Sequence, residues 1–283
     1  MAEAGGVLVI GADGSIGAAV ASRLEADGVH VVRTSRRGTA GSLPLDPAAM
    51  PDSWRPPEGI SAAVICAAVT STEVCRTRPD EGRRVNVDAP VELGRRIAAA
   101  GGRVVFLSTN MVFDGSVPLV PADATRCPRT AYGQMKADAE AGLFALGGTT
   151  VVRLTKVVGR SLPVFERWRA SLGSGQTVRP LSDLVIAPVS LAYATAVIAA
   201  AARASLGPIL QVSARADVSY ADVARRLATR WGHSADLVQP VPAAASGIRL
   251  EHVPHHTTLD ASSVRDKLGL PPPDPWAAID EVL

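Results

Sequence analysis

The sequence predicts an α/β fold, a doubly wound parallel sheet with a small C-terminal α/β lobe. Three observations carry that reading. Short apolar runs alternate with longer segments of helical spacing through the first 160 residues, the pattern of βαβ units. One of the strand-to-helix junctions is glycine-rich, GADGSIG at 11–17. After residue 160 the alternation loosens into proline-rich stretches, PVP, HVPHH and GLPPPDP. The expected division is 1–160 for the sheet domain, with returning segments near 180–215, and 161–283 mainly for the lobe, interleaved with the core.

The elements follow in order. VLVIG (7–11) is a strand that stops at glycine, and SIGAAVASRLEADG (15–28) is a helix ending at Gly28. VHVVRTSRR (29–37) and ISAAVICAAVT (60–70) are the next strands. RRVNVDAPVELGRRIAAAGG (83–102) reads as one long helix and GRVVFLST (102–109) as a strand. RTAYGQMKADAEAGLFALGG (129–148) is a helix closed by two glycines, the residue that best adopts a left-handed C-terminal turn. TTVVRLTKVVG (149–159) is a strand and PVFERWRASLGSG (163–175) a helix. The alanine-rich run 190–204 is a helix that returns to the sheet domain. GPILQVSA (207–214) is a late strand, and YADVARRLATRWG (220–232) a helix. A short helix, DASSVRDKLGL, interrupts an otherwise irregular tail.

Composition excludes several classes of function. With 47% apolar and 20% charged residues, the 283-residue chain is not a disordered tail. Aromatics are only 4%, so alanine, valine, leucine and glycine must build most of the core. Net charge is +2, and the basic pairs Arg36–Arg37, Arg83–Arg84 and Arg95–Arg96 are short and mixed with acids. That is no nucleic-acid footprint. The three cysteines match no metal or redox spacing, and Cys66, inside an apolar run, reads as a buried small hydrophobe. His255 and His256 are adjacent, so in extended chain they point to opposite faces and no metal site is expected. The start, MAEAGGVLVI, lacks a basic region before an apolar core, and Pro188 breaks the apolar run 184–202. A cytoplasmic protein without membrane contact is expected.

The glycine-rich turn has the spacing and context of a dinucleotide site. Gly11 permits the tight turn, Gly14 lets backbone approach a pyrophosphate, and Gly17 lets helix and sheet pack closely. The helix N-terminus then faces the phosphates. Asp13, Ser15 and Ile16 of the same turn, with Ala67 and Ala68 in the last part of the third expected strand, complete the expected cofactor contacts. A ribose diol would call for a carboxylate at the end of the second strand, and a 2′-phosphate for cations. The strand ends VVRTSRR, without an acid. NADP(H) is therefore the expected cofactor, with Arg33 the first choice for the phosphate, Arg36 and Arg37 beside it, and Asp46 near the adenine end.

Tyr132 and Lys136 share one helix face at i, i+4, and Thr109 ends a strand 23 residues before Tyr132. Strand ends in such a sheet face the cofactor crevice. An ammonium beside a phenol lowers its pKa, so Tyr132 is expected to exchange a proton with a carbonyl or alcohol oxygen near neutral pH. Thr109 would hydrogen-bond the same oxygen, with Ser108 assisting, and Lys136 would also hold the nicotinamide ribose.

With those motifs assembled, the chain resembles the extended short-chain dehydrogenase/reductase superfamily and, within it, the dTDP-4-dehydrorhamnose reductase family. LVIGADGSIG resembles its opening, STNMVFDG its STDYVFDG, and PRTAYGQMKADAE its P…YG..K…E segment. AAVTSTEVCRTRPDEGRRVNV, RLTKVVG and TLDASSVRDKLGL match further segments in order. The resemblance implies a Rossmann-type domain with a small substrate lobe. It also implies catalytic roles for Thr109, Tyr132 and Lys136, and NADPH-dependent reduction of the keto group of a nucleotide-linked 4-keto-6-deoxy sugar. Asn110 and Met111 replace the family's Asp-Tyr and are expected, with Asp183, to touch substrate. Leu184 and Ile186 stand where the family has Gln and Gly. Two alternatives stay open: a nucleotide-sugar epimerase of the same superfamily, and a non-catalytic NADP(H)-binding subunit. A homodimer is also open.

Overall fold

The computed structural model describes residues 5–159 and 162–282. Its strands are β1 (Gly6–Ile10), β2 (Val31–Ser35), β3 (Leu43–Pro44), β4 (Ile60–Ile65), β5 (Arg103–Thr109), β6 (Thr149–Leu154), β7 (Lys156–Val158), β8 (Val185–Ile186), β9 (Pro188–Ser190), β10 (Ile209–Val212) and β11 (Val218–Ser219). Seven of them form one sheet in the order β3-β2-β1-β4-β5-β6-β10, every pairing parallel. The helices are α1 (Ser15–Ala26), α2 (Thr72–Thr77), α3 (Pro79–Arg83), α4 (Ala89–Ala99), α5 (Ala131–Leu146), α6 (Pro163–Gly173), α7 (Leu191–Arg203), α8 (Tyr220–Arg230), α9 (Ser262–Leu268) and α10 (Pro275–Asp280). The chain winds outward from β1 in both directions. This is the Rossmann-type arrangement, and its ligand crevice lies beyond the strand ends where the order reverses, between β1 and β4.

Both sheet faces are covered, so the central strands are buried almost without alternation. One face packs Val9, Val64 and Val105 against α1 and α7, where alanines 194, 199, 201 and 202 let the helix sit close. The other packs Leu8, Ile65 and Phe106 against Leu93 and Ile97 of α4 and Leu143 of α5. Small and branched side chains thus fill a core with few aromatics. A separate cluster joins Phe165 and Trp168 of α6, Val223 and Leu227 of α8, and Ile279 of α10.

The structure departs from the sequence reading where the chain turns toward the crevice. The expected helix 83–102 is a π-helical turn, Arg84–Asp88, followed by α4. Pro90 has no N–H for the carbonyl four residues back, and the widened turn carries that break. It also directs Asn86 inward, where its amide accepts from the Val69 nitrogen and donates to the Val69 carbonyl, both at 2.9 Å. The expected strand 149–159 breaks at Thr155, whose hydroxyl donates to the Ala187 carbonyl at 2.6 Å. Beyond it β7 leaves the main sheet and pairs with β9. The strands expected at 29–37 and 60–70 shorten to β2 and β4, and their ends become crevice loops. Helix α10 lies in a stretch read as irregular; Asp274 caps it, accepting from the Trp276 nitrogen at 2.8 Å. The apolar run 184–202 resolves into β8, β9 and α7, and no described helix is long and apolar enough to cross a membrane.

Candidate active site

The glycine-rich turn joins β1 to α1. Gly11 has φ +83°, and a Cβ there would stand 2.9 Å from the Ala67 nitrogen, so only glycine fits. A Cβ on Gly17 would stand 2.3 Å from the Gly11 carbonyl oxygen, which forces the close approach of helix to turn. Gly14 is the N-cap of α1 and offers no side chain to its first N–H groups. Those donors are left for an anion.

A cavity of 400 Å³ opens over this turn, and its lining includes Gly11, Asp13, Gly14, Arg36, Arg37, Asp46, Cys66, Ala67 and Ala68. Ser15 and Gly17 lie outside its lining, and Ile16 faces a second cleft instead. Cys66, expected to be a buried hydrophobe, sits on the wall with its thiol pKa pushed up to about 12 by burial.

Arg33 corrects the sequence reading. Its side chain turns to the flank of α1, donating to Glu25 at 3.0 and 2.7 Å and to Ser22 at 3.2 Å. It does not line the cavity. Alternation along β2 explains this: residue 33 faces α1, and the crevice begins only after the strand ends. The two arginines just past that end line the cavity instead. Arg37 donates to Asp13 at 3.0 Å, and Ser35 donates to the same oxygen at 3.0 Å. Partial burial opposes ionisation of Asp13, but these bonds hold its carboxyl below the usual range. Arg36 is exposed and forms no ion pair among the described residues.

The second cleft, of 560 Å³, lies between the ends of β5 and β6 and the segment 250–257. Thr109, Asn110, Met111 and Tyr132 all line it. Thr109 ends β5, and its hydroxyl accepts from the Met111 nitrogen at 3.2 Å, which starts a tight turn at Asn110–Val112. Helix α5 begins against that turn. Its cap, Thr130, accepts from the Gly133 nitrogen at 3.0 Å. A Cβ on Gly133 would stand 2.2 Å from the Met111 carbonyl oxygen, so glycine is required for the helix to approach. That contact brings Tyr132 of the first helical turn to the same cleft as Thr109.

Lys136 does not line the cleft. It is 2% exposed, beneath it, with Nζ 3.9 Å from the centroid of the Phe106 ring. Burial draws its pKa down to about 7, against the opposing pull of Glu140 and two thiols. Burial likewise raises the pKa of the Tyr132 hydroxyl, and the nearby Cys75 thiol raises it further. The expectation that Lys136 lowers Tyr132 is therefore reversed: desolvation dominates both groups, and Tyr132 stays a protonated phenol across the neutral range. Ser108 lines the cleft beside Thr109. Its hydroxyl donates to Glu140 at 2.6 Å, and Glu140 receives Arg153 at 3.0 and 2.8 Å. This buried network ties α5 to β5 and β6 and engages the Ser108 hydroxyl.

Asp183 also leaves the expected set. It accepts from the Ala243 nitrogen at 2.9 Å, is exposed, and lies outside the cleft lining. Its neighbours Leu184, Val185 and Ile186 form an apolar wall in its place. Sequence reasoning missed Thr155, Lys156, Tyr220, Glu251 and His252, which also line the cleft. Glu251 and His252 fall in a proline-rich segment without periodicity. They arrive by tertiary contacts: Glu251 accepts from the Ala131 nitrogen at 3.0 Å, and His252 bonds the Asp114 carbonyl at 2.6 Å.

Known proteins resemble this chain in sequence and in fold. The methionine adenosyltransferase 2 subunit beta of Pongo abelii is 29% identical over 161 residues, 54% of this chain and 47% of that protein. The chain thus spans about half the length of that relative. A dTDP-4-dehydrorhamnose reductase of Mycobacterium tuberculosis is 30% identical over 191 residues, 63% of this chain and 62% of that protein. Among solved structures, a dTDP-4-dehydrorhamnose reductase of Bacillus anthracis in complex with NADP superposes with a TM-score of 0.83 at 19% identity, covering 100% of this chain and 98% of that one. MoeE5 in complex with UDP-glucuronic acid and NAD gives 0.82 at 24% identity and 98% coverage of both chains. These superpositions bear on the fold. The family model described as RmlD substrate binding domain matches residues 5–283, and the chain belongs to that family.

Proposed function

We propose that this chain is an NAD(P)(H)-dependent oxidoreductase that reduces the keto group of a nucleotide-linked 4-keto-6-deoxy sugar, with NADPH as the preferred cofactor. The observation that carries the reading is the shared cleft of Thr109 and Tyr132 beside a glycine-rich turn fit for a pyrophosphate. The relatives named as dTDP-4-dehydrorhamnose reductases support the substrate class. Residues 1–160 would carry the cofactor, with returning segments near 180–215, and 161–283 mainly the sugar.

The cavity at the turn suits a dinucleotide: Gly11 permits the tight turn against Ala67, Gly14 places no side chain at the mouth, and the uncapped N-terminus of α1 offers donors. Arg36 is free to meet a 2′-phosphate, which favours NADPH over NADH. When bound, the nicotinamide supplies the hydride. The chain's own groups do the rest. Tyr132, protonated, donates its proton to the carbonyl oxygen as negative charge develops there. Thr109 accepts from the Met111 nitrogen and gives up its long, 3.5 Å bond to the Asn110 side-chain oxygen to donate to the same carbonyl oxygen. Lys136 reaches the ribose only by moving out from beneath the cleft. Until then its amine rests over the Phe106 ring.

A second reading, a non-catalytic NADP(H)-binding subunit, is favoured by the burial of Lys136 and by the likeness to the methionine adenosyltransferase subunit. Loss of NADPH absorbance with a panel of nucleotide-linked 4-ketosugars separates the two. Turnover supports the oxidoreductase, and cofactor binding without turnover on any of them supports the subunit.

A further inference from the structure

Lys156 is the cleft residue that the proposed chemistry leaves without a task. Thr109 of β5 is in register with Leu154 of β6. Lys156 follows Leu154 by two residues, about 7 Å of extended chain. Its backbone pairs with Pro188 of β9, which fixes the stem, and it lines the cleft with Thr109 and Tyr132. Among the described residues of that lining, Lys156 is the only lysine or arginine. No described Asp or Glu forms an ion pair with it, and burial lowers its pKa without any carboxylate to offset the shift. The one acid of the lining, Glu251, is committed to the Ala131 nitrogen at the start of α5. A largely desolvated ammonium without an anion is costly. A ligand that brings the anion removes that cost.

We propose that Lys156 is a specificity-determining residue that binds an anionic group of the substrate beside the reacting carbon. This rests on the oxidoreductase reading of the cleft and deepens it. Two sources share the chemistry: a carboxylate on the sugar ring, or the diphosphate that links sugar to nucleoside. In both, the ammonium donates to the anion's oxygens and orients the ring against Thr109 and Tyr132. An uncharged sugar without a diphosphate would leave Lys156 unpaired.

The test reads Lys156 itself. The whole protein is treated with acetic anhydride, and acetylation of Lys156 is followed by peptide mass spectrometry in the presence of UDP, UDP-glucose, UDP-glucuronate or glucose. The same UDP ligands are titrated by calorimetry into the parent, Lys156→Met and Lys156→Arg. Protection by UDP-glucuronate alone assigns the anion to the sugar carboxylate. Protection by all three UDP ligands and not by glucose assigns it to the diphosphate. In either case Lys156→Met should weaken the protecting ligands by about tenfold or more, and Lys156→Arg should recover most of that loss. Acetylation at an unchanged rate with every ligand overturns the proposal, as does equal affinity of parent and Lys156→Met. Failure to oxidise NADPH with ketosugars would defeat the proposed function and leave the labelling result standing, so the two fail separately.

Discussion

Lys136→Met separates the stability of this fold from its proposed chemistry. The ammonium of Lys136 is buried between α5 and β5, against the face of Phe106. Burial draws its pKa from 10.5 to about 7. A folded-state pKa below the unfolded one means that the unfolded chain binds the extra proton between those values. The group therefore destabilises the fold fully below about pH 7, and the penalty fades as the pH rises toward 10.5. At about 1.4 kcal/mol per pKa unit, the penalty at neutral pH is on the order of a few kcal/mol. Methionine keeps an unbranched stem in the same space and removes the charge. The variant should be more stable than the parent at pH 7 by about 2–4 kcal/mol in urea unfolding, with the gap closing near pH 10. Its hydride transfer and NADPH affinity should both fall, because the amine that would hold the ribose is gone. Equal stability at pH 7, or pH profiles that run parallel, would refute the depressed pKa. Undiminished transfer in a folded variant would refute the role of the amine.

Three further outcomes are expected. Arg36→Ala should raise the NADPH Michaelis constant by about tenfold or more with little change for NADH, whereas Arg33→Ala should leave both near the parent value; equal effects of the two substitutions in steady-state kinetics would contradict the assignment. Glu140→Ala strands the buried Arg153 guanidinium and should cost about 3–5 kcal/mol in denaturant unfolding; a loss below about 1 kcal/mol would mean that the network is not holding α5 to the sheet. Gly133→Ala drives a Cβ into the Met111 carbonyl, so it should destabilise by about 1–3 kcal/mol and lower turnover more than NADPH affinity; unchanged turnover would show that the turn and helix do not need that contact.

The parts of this protein that were legible in its sequence are those set by local rules. Alternating apolar runs and helical segments specify a parallel sheet, and the spacing of Gly11, Gly14 and Gly17 follows from backbone approach alone. Thr109 and Tyr132 were readable because strand ends and helix starts in such a sheet converge on one crevice. The misplaced residues depend on where a side chain turns in three dimensions. Arg33 was read from its place in RTSRR, but alternation along β2 sends it to Glu25. Asp183 was read from a resemblance, but its carboxylate is bound to the Ala243 nitrogen, which lies 60 residues away in sequence. Lys136 was read as a partner for Tyr132 from the four-residue spacing, yet that spacing says nothing about depth, and desolvation reversed the expected shift. The break at Thr155 needed the carbonyl of Ala187. Glu251 and His252 had no periodic signal, since a proline-rich strap is located by long-range contacts.

The most direct measurement is single-turnover hydride transfer from NADPH to a panel of nucleotide-linked 4-ketosugars, with the parent protein and Tyr132→Phe compared side by side. The phenol is the proton donor in this account, and phenylalanine keeps the ring packed against Cys75, Val87 and Met135. The parent should transfer hydride to at least one sugar of the panel. Tyr132→Phe should be slower by about 10²–10⁴-fold, the usual range for one positioned acid or base, with NADPH binding preserved. Transfer by Tyr132→Phe at the parent rate, or no transfer by the parent to any sugar, would contradict it.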